Sequence, residues 1–177
     1  MVSELAPQDD SALFLAATAA FDQVGWNYDR VPGREVLELN FEAHHTSVPV
    51  HVQVFGELKA VSVVAGCSVA VAKPKFPLIA EALMRTNLEL NIGNFELDYD
   101  SGRAYFRATN LFASESDAPP ILANLVHTSV AEVDRITPFL HKLANANPLE
   151  IADLNLKRFL KRTDLLPPAP DAAAGEP

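Results

Sequence analysis

The sequence predicts an α+β fold: an antiparallel sheet of about five strands packed by helices in the order α-β-β-β-α-β-β-α, plus an extra C-terminal helix. Three observations predict it. The apolar period switches from helical to two and back, twice along the chain. Runs of alternating residues come in hairpin-like groups separated by helical windows, which is the α+β arrangement. Between 84 and 110 a helix end, a glycine stop and a tight hairpin follow one another without a gap.

The elements follow in order. Asp9 or Asp10 can cap a first helix, with Leu13, Ala16, Ala17, Ala20, Phe21 and Val24 at helical spacing and Gly25 as its left-handed stop. Trp26 to Val31 can extend as a short strand, and Pro32-Gly33 is a turn signal. Leu37, Leu39 and Phe41 then alternate with Glu38, Asn40 and Glu42, giving a strand with one dry and one wet face. After a His44-His45-Thr46 loop, Val48, Val50, Val52 and Val54 repeat the alternation. Pro49 lacks a donor and favours an edge or a strand end. Leu58 to Ala65 is a further strand, with room to run on to Val71.

Lys73 to Pro77 starts the second helix, with Pro77 in its first turn. Ile79, Ala82, Leu83, Thr86 and Leu90 form its dry face, and Ile92-Gly93 ends it. Asn91 and Asn94 flank that stop and are placed to satisfy its free backbone groups. Phe95, Leu97 and Tyr99 form one strand, Asp100-Ser101-Gly102 the turn, and Ala104, Phe106 and Ala108 the return. Ser116 to Pro120 opens a long helix reaching about Asn145, with Pro138 predicting a kink or break near Ile136. Pro148 to Leu165 reads as a last amphipathic helix. The domain plan is a flexible segment over 1–8, a folded domain over 9–146, the C-terminal helix over 147–165 and a disordered Pro/Ala-rich tail over 166–177.

Leu88-Glu-Leu-Asn91, Gly93-Asn-Phe95, the Asp98 to Arg103 hairpin and Ala131-Glu-Val-Asp134 stand in this order of elements. Together they resemble the YbjN-like family of bacterial sensory transduction regulators, whose fold is similar to that of type III secretion chaperones. The likeness spans roughly Asp9 to Ala144 as a pattern. The apolar stretch Gly66 to Ala72 and the helix from Pro148 depart from it. The resemblance implies a small non-enzymatic protein, open to homodimerisation, that binds another polypeptide. It brings no catalytic residues and no cofactor.

Composition narrows the function classes. The chain has 177 residues, 49% hydrophobic, and a formal net charge of −9. A domain of this size buries roughly 70% of its unfolded surface, so it needs no metal or disulfide to fold. The charge disfavours non-specific nucleic-acid or anionic-membrane binding. One cysteine, Cys67, excludes an intramolecular disulfide and fits a reducing compartment. The longest uncharged apolar run, Ala60 to Ala72, is shorter than the ~20 residues of a membrane span. With no signal peptide in evidence, the expected location is the cytoplasm.

Candidate chemistry is sparse. The five histidines, His44, His45, His51, His127 and His141, show no chelating spacing, so no metal site is expected. No nucleotide loop or nucleophile elbow occurs. Glu96, Asp98, Arg103 and Arg107 lie together on the hairpin and could serve a small-ligand sensor or an enzyme; cross-strand charge pairing on a wet face is the much commoner reason for such a group. Two features remain as candidate partner-binding surfaces. The first is the strand carrying Val61, Val63, Val69 and Val71, which needs burial in the core, in a dimer seam or under a partner strand. The second is the basic stripe Lys157, Arg158, Lys161 and Arg162, suited to an acidic protein surface. The function expected is therefore a protein-binding module, an assembly chaperone or regulatory adaptor.

Overall fold

Alternating apolar residues from five runs of chain converge on one face of a single sheet in the computed structural model, which describes residues 10–147 together with 150, 155, 158 and 161. The order is α1 (Ala12–Val24), β1 (Asp29–Arg30), β2 (Val36–Glu42), β3 (Ser47–Phe55), β4 (Ala60–Ala70), α2 (Phe76–Asn87), β5 (Asn94–Asp98), β6 (Arg103–Leu111) and α3 (Ala118–Asn145). The six-stranded sheet has the order β1-β2-β3-β4-β6-β5, and every neighbouring pair is antiparallel. The expected α+β plan holds, with the short Trp26–Val31 strand reduced to the two residues of β1.

Register explains the dry face. Leu37↔Val52, Val52↔Val63 and Val63↔Ala108 line up across four strands, and Ala65↔Phe106 and Phe106↔Phe95 continue the layer to the edge. All of these side chains are buried, and α3 lies across them with α1 packed on α3. Fully burying a residue such as Phe14, Phe21 or Phe106 contributes about 1.5–3 kcal/mol, so this layer dominates stability. The opposite face carries Glu38, His51, Ser62, Tyr105, Arg107 and Glu96, and none of the helices among the described residues is packed over it.

Several local expectations change. The α1 cap is Ser11, whose Oγ accepts the Phe14 N–H at 3.2 Å; Asp10 instead takes a two-pronged ion pair from Arg30. Pro49 lies in an interior strand, but the β3–β4 ladder stops at Val50↔Ala65, one residue before it, so the missing donor falls at a ladder end. α2 ends at Asn87, before Ile92-Gly93, because the Asn87 side chain turns to bond the Phe95 backbone. Asn94 reaches Glu96 at 3.4 Å and plays no part in that cap. α3 runs unbroken through Pro138, where buried Ile136, Thr137, Phe139 and Leu140 hold the helix against its lost bond. The expected helix over 148–165 and the tail over 166–177 lie outside the described residues, apart from the four isolated positions.

Candidate functional site

The valine strand is the core of the sheet. Val61 and Val63 are completely buried, and Val69 and Val71 nearly so, on the side covered by helices. β4 pairs with β6 on one side and, as far as Ala65, with β3 on the other, so Val61 and Val63 lie inside the sheet, while the ladder to β3 does not reach Val69. The reason is topological: the chain crosses over through α2 and returns β6, not β5, beside β4. Core burial alone satisfies these side chains. Of the basic stripe, Arg158 and Lys161 are exposed, and Lys157 and Arg162 lie outside the described residues.

The hairpin face centres on an ion pair between Arg107 and Glu96. Arg107 grips Glu96 with two hydrogen bonds, Nε to Oε1 at 2.9 Å and Nη2 to Oε2 at 3.1 Å, and also reaches Ser62. That guanidinium holds the Glu96 carboxyl below its ordinary range. Asp98 closes the turn: Oδ2 accepts from the Ser101 hydroxyl at 2.5 Å and Oδ1 from the Asp100 N–H at 2.9 Å, and the Ser101 bond leads in lowering its pKa. Gly102 completes the turn at φ +70°, where a side chain would strike the Val71 carbonyl. Two carboxyls held ionised and engaged in structural bonds are poorly suited to proton transfer near neutrality. Arg103 stands opposite Asp98 in the register and is exposed.

Other reactive side chains are also engaged. Burial pushes the Cys67 thiol up to about 12, far from the range of a nucleophile. His44 and His45 meet edge to face at 4.5 Å, His51 lies 3.6 Å from Glu38, and His127 packs on Trp26 at 5.0 Å. Among the described residues, no group of three or more His, Cys, Asp or Glu is placed to hold a metal ion.

Three features escaped the sequence. Asp134 is 1% exposed, yet it accepts the His45 N–H at 2.6 Å through Oδ1 and fastens the β2–β3 loop to α3. Its Oδ2 has no hydrogen-bond partner among the described residues. Asn87 pairs in both directions with the backbone of Phe95, donating to its carbonyl at 3.1 Å and accepting its N–H at 2.7 Å. Third, Met84, Leu88 and Ile92 are 65%, 85% and 52% exposed along α2 and the turn after it. The signal for that row was their spacing of four, hidden because the same window also supplies the dry face. Beside it, a cleft of about 430 Å³ opens between the turn and α3, lined by Glu89, Leu90, Asn91, Ile92, Thr128, Glu132 and Arg135.

A six-stranded antiparallel sheet with helices packed on its apolar face defines the α+β class of this protein. In solved structures, the chain is similar to one in the crystal structure of the ExsC–ExsE complex. The TM-score is 0.54 with 12% identity, over 72% of this chain and 92% of that one. No protein-family model matches the chain, and no curated protein matches it. At this identity the likeness shows the fold.

Proposed function

We propose that this protein is a non-enzymatic binding module, an assembly chaperone or regulatory adaptor that holds a partner polypeptide, and that it works as a homodimer in the cytoplasm. The observation that carries the reading is the exposed row Met84, Leu88 and Ile92 on a domain whose other large apolar side chains are mostly buried. A contiguous exposed apolar row marks an interaction surface. The fold likeness adds support, since the similar chain was crystallised as a complex of two proteins. No helix of the described residues is long and apolar enough to cross a membrane, which is compatible with this reading. The YbjN-like pattern of Leu88 to Arg103 and Ala131 to Asp134 fits it as well.

The surface offered for self-association is the exposed pair Met84 and Leu88, four residues apart at the end of α2. Affinity capture from native lysate with crosslinking, run beside light scattering, tests both parts. The expected result is one polypeptide crosslinked at a defined surface of a dimer. Recovery of the protein alone, as a monomer at every concentration, would sink the proposal.

A further inference from the structure

The chain leaves α3 in a way that fixes its next direction. α3 ends at Asn145, and Ala146 is extended at φ −68° and ψ 146°. Asn147 Oδ1 then accepts the Glu150 N–H at 3.1 Å, and Glu150 Oε2 accepts the Asn147 N–H at 2.8 Å. That reciprocal pair is a capping box, with Pro148 at the first helical position. So short a connection between helices turns the second back antiparallel to the first. Lys75 Nζ donates to the Ala146 carbonyl at 2.5 Å, so the turn sits beside the start of α2.

α2 and α3 run side by side in opposite directions. Lys75 meets Ala146 at one end, and Glu89 shares the cleft with Glu132 at the other. The spans Lys75 to Glu89 and Ala146 to Glu132 are equal in residues and about 20 Å long at the α-helical rise. The span Asn147 to Lys161 has the same number of residues. Leu78 and Ala144 near one end of the seam, and Leu90 at the other, are only partly buried against the core. Helical spacing puts Lys75, Leu78 and Glu89 on the seam side of α2, about a third of a turn from outward Met84 and Leu88. Farther along, Asn155 Oδ1 accepts the Arg158 N–H at 2.9 Å and starts a fresh helical turn. Arg158 and Lys161 are exposed, and neither makes an ion pair among the described residues.

We propose that residues 148–162 fold back along the seam between α2 and α3 to the cleft, with Leu156, Phe159 and Leu160 turned toward the seam. Those three fall opposite Arg158 and Lys161 by helical spacing. This rests on the partner-holding reading and completes its surface. The docked segment sets Lys157, Arg158, Lys161 and Arg162 beside Met84 and Leu88, one helix-to-helix spacing of about 8–10 Å away. Glu81 and Arg85, which lie between on α2, are paired with each other at 2.6 Å and leave the stripe to a partner. Apolar row and basic stripe then form one surface, which fits a partner segment carrying acidic residues beside apolar ones.

The test uses the full chain. Cys67 is buried with its thiol pushed up to about 12, so a nitroxide label attaches only at an introduced cysteine, Arg158→Cys. The label is expected to broaden the NMR signals of the Leu90 and Glu132 amides and of the Met84 methyl, which shares the chain with Met1 alone. Phe159→Glu/Leu160→Glu in the labelled chain should restore all three. Intact signals at Leu90 and Glu132, or broadening confined to another surface, would overturn the proposal. So would broadening carried only between chains, read by mixing labelled chain with unlabelled isotope-enriched chain. Two peptide probes then read the surface: acetyl-(Leu-Glu-Ala-Leu-Glu-Glu-Ala)2-amide and its Lys-for-Glu counterpart. The acidic probe should shift the Met84 methyl and the basic probe should not, and Lys157→Glu/Lys161→Glu should reverse that preference. Equal response to both probes, or none at millimolar peptide, would overturn the assignment of the partner's chemistry. A native partner that still crosslinks to a chain whose label leaves the seam untouched removes this inference and leaves the partner-holding reading intact.

Discussion

Single residues here carry structural loads that their types alone do not announce. Asp134 is the plainest case, a buried carboxylate whose bonded oxygen holds the His45 N–H. Asp134→Ala leaves that donor unpaired and should cost about 2 kcal/mol in urea unfolding, with Asp134→Asn recovering most of the loss. Gly93 is a second case. It sits at φ +71°, and a Cβ there would come within 2.5 Å of the Phe106 ring and 2.7 Å of the Arg107 carbonyl. Gly93→Ala combines a left-handed penalty with overpacking and should cost about 3 kcal/mol, read as a shifted denaturant midpoint with an unchanged slope. The sequence marked Gly93 as a stop; it could not show that an aromatic ring occupies the space beside it.

Among the elements, α2 separates what packs the domain from what is offered outward. Ile79, Ala82, Leu83 and Thr86 face the core, whereas Met84 and Leu88 face away from it. The double substitution Met84→Glu/Leu88→Glu should leave the thermal midpoint within a few degrees of wild type, since exposed positions contribute little to folding. In light scattering the same variant should be monomeric where the wild type is dimeric. A dimer that survives would exclude this row as the seam. The helix was legible from its spacing, yet its end was not. The spacing carries on to Leu90, and only the contact between Asn87 and Phe95 shows why the chain leaves the helix early.

For the whole molecule, acid is the informative variable. Glu96 and Asp98 have folded pKa values below their ordinary ones. Each therefore binds protons less readily folded than unfolded, and its stabilising contribution is present above the ordinary carboxylate range. It is lost as pH falls through the depressed folded value. The thermal midpoint should hold from pH 7 to about 5 and then decline with acidification. Glu96→Gln should flatten part of that decline, and an unaltered slope would show that Arg107 does not act through Glu96. Both groups are substantially exposed, so solvent keeps the effect modest.

The sequence by itself determined the α+β class, the position of nearly every strand, the helical faces and the hairpin turn. These depend on period, turn chemistry and propensity, which act between near neighbours. Only the tertiary structure decided which strands are central and which are edges, because that depends on where the chain returns after α2. It settled the core, among the places considered, for the side chains of Val61, Val63, Val69 and Val71, and left β5 paired with a strand on one side only. It also brought Asn87 to Phe95, Asp134 to His45 and Arg107 to Ser62. Such pairings join residues whose contact is set by packing, and local spacing carries no record of it.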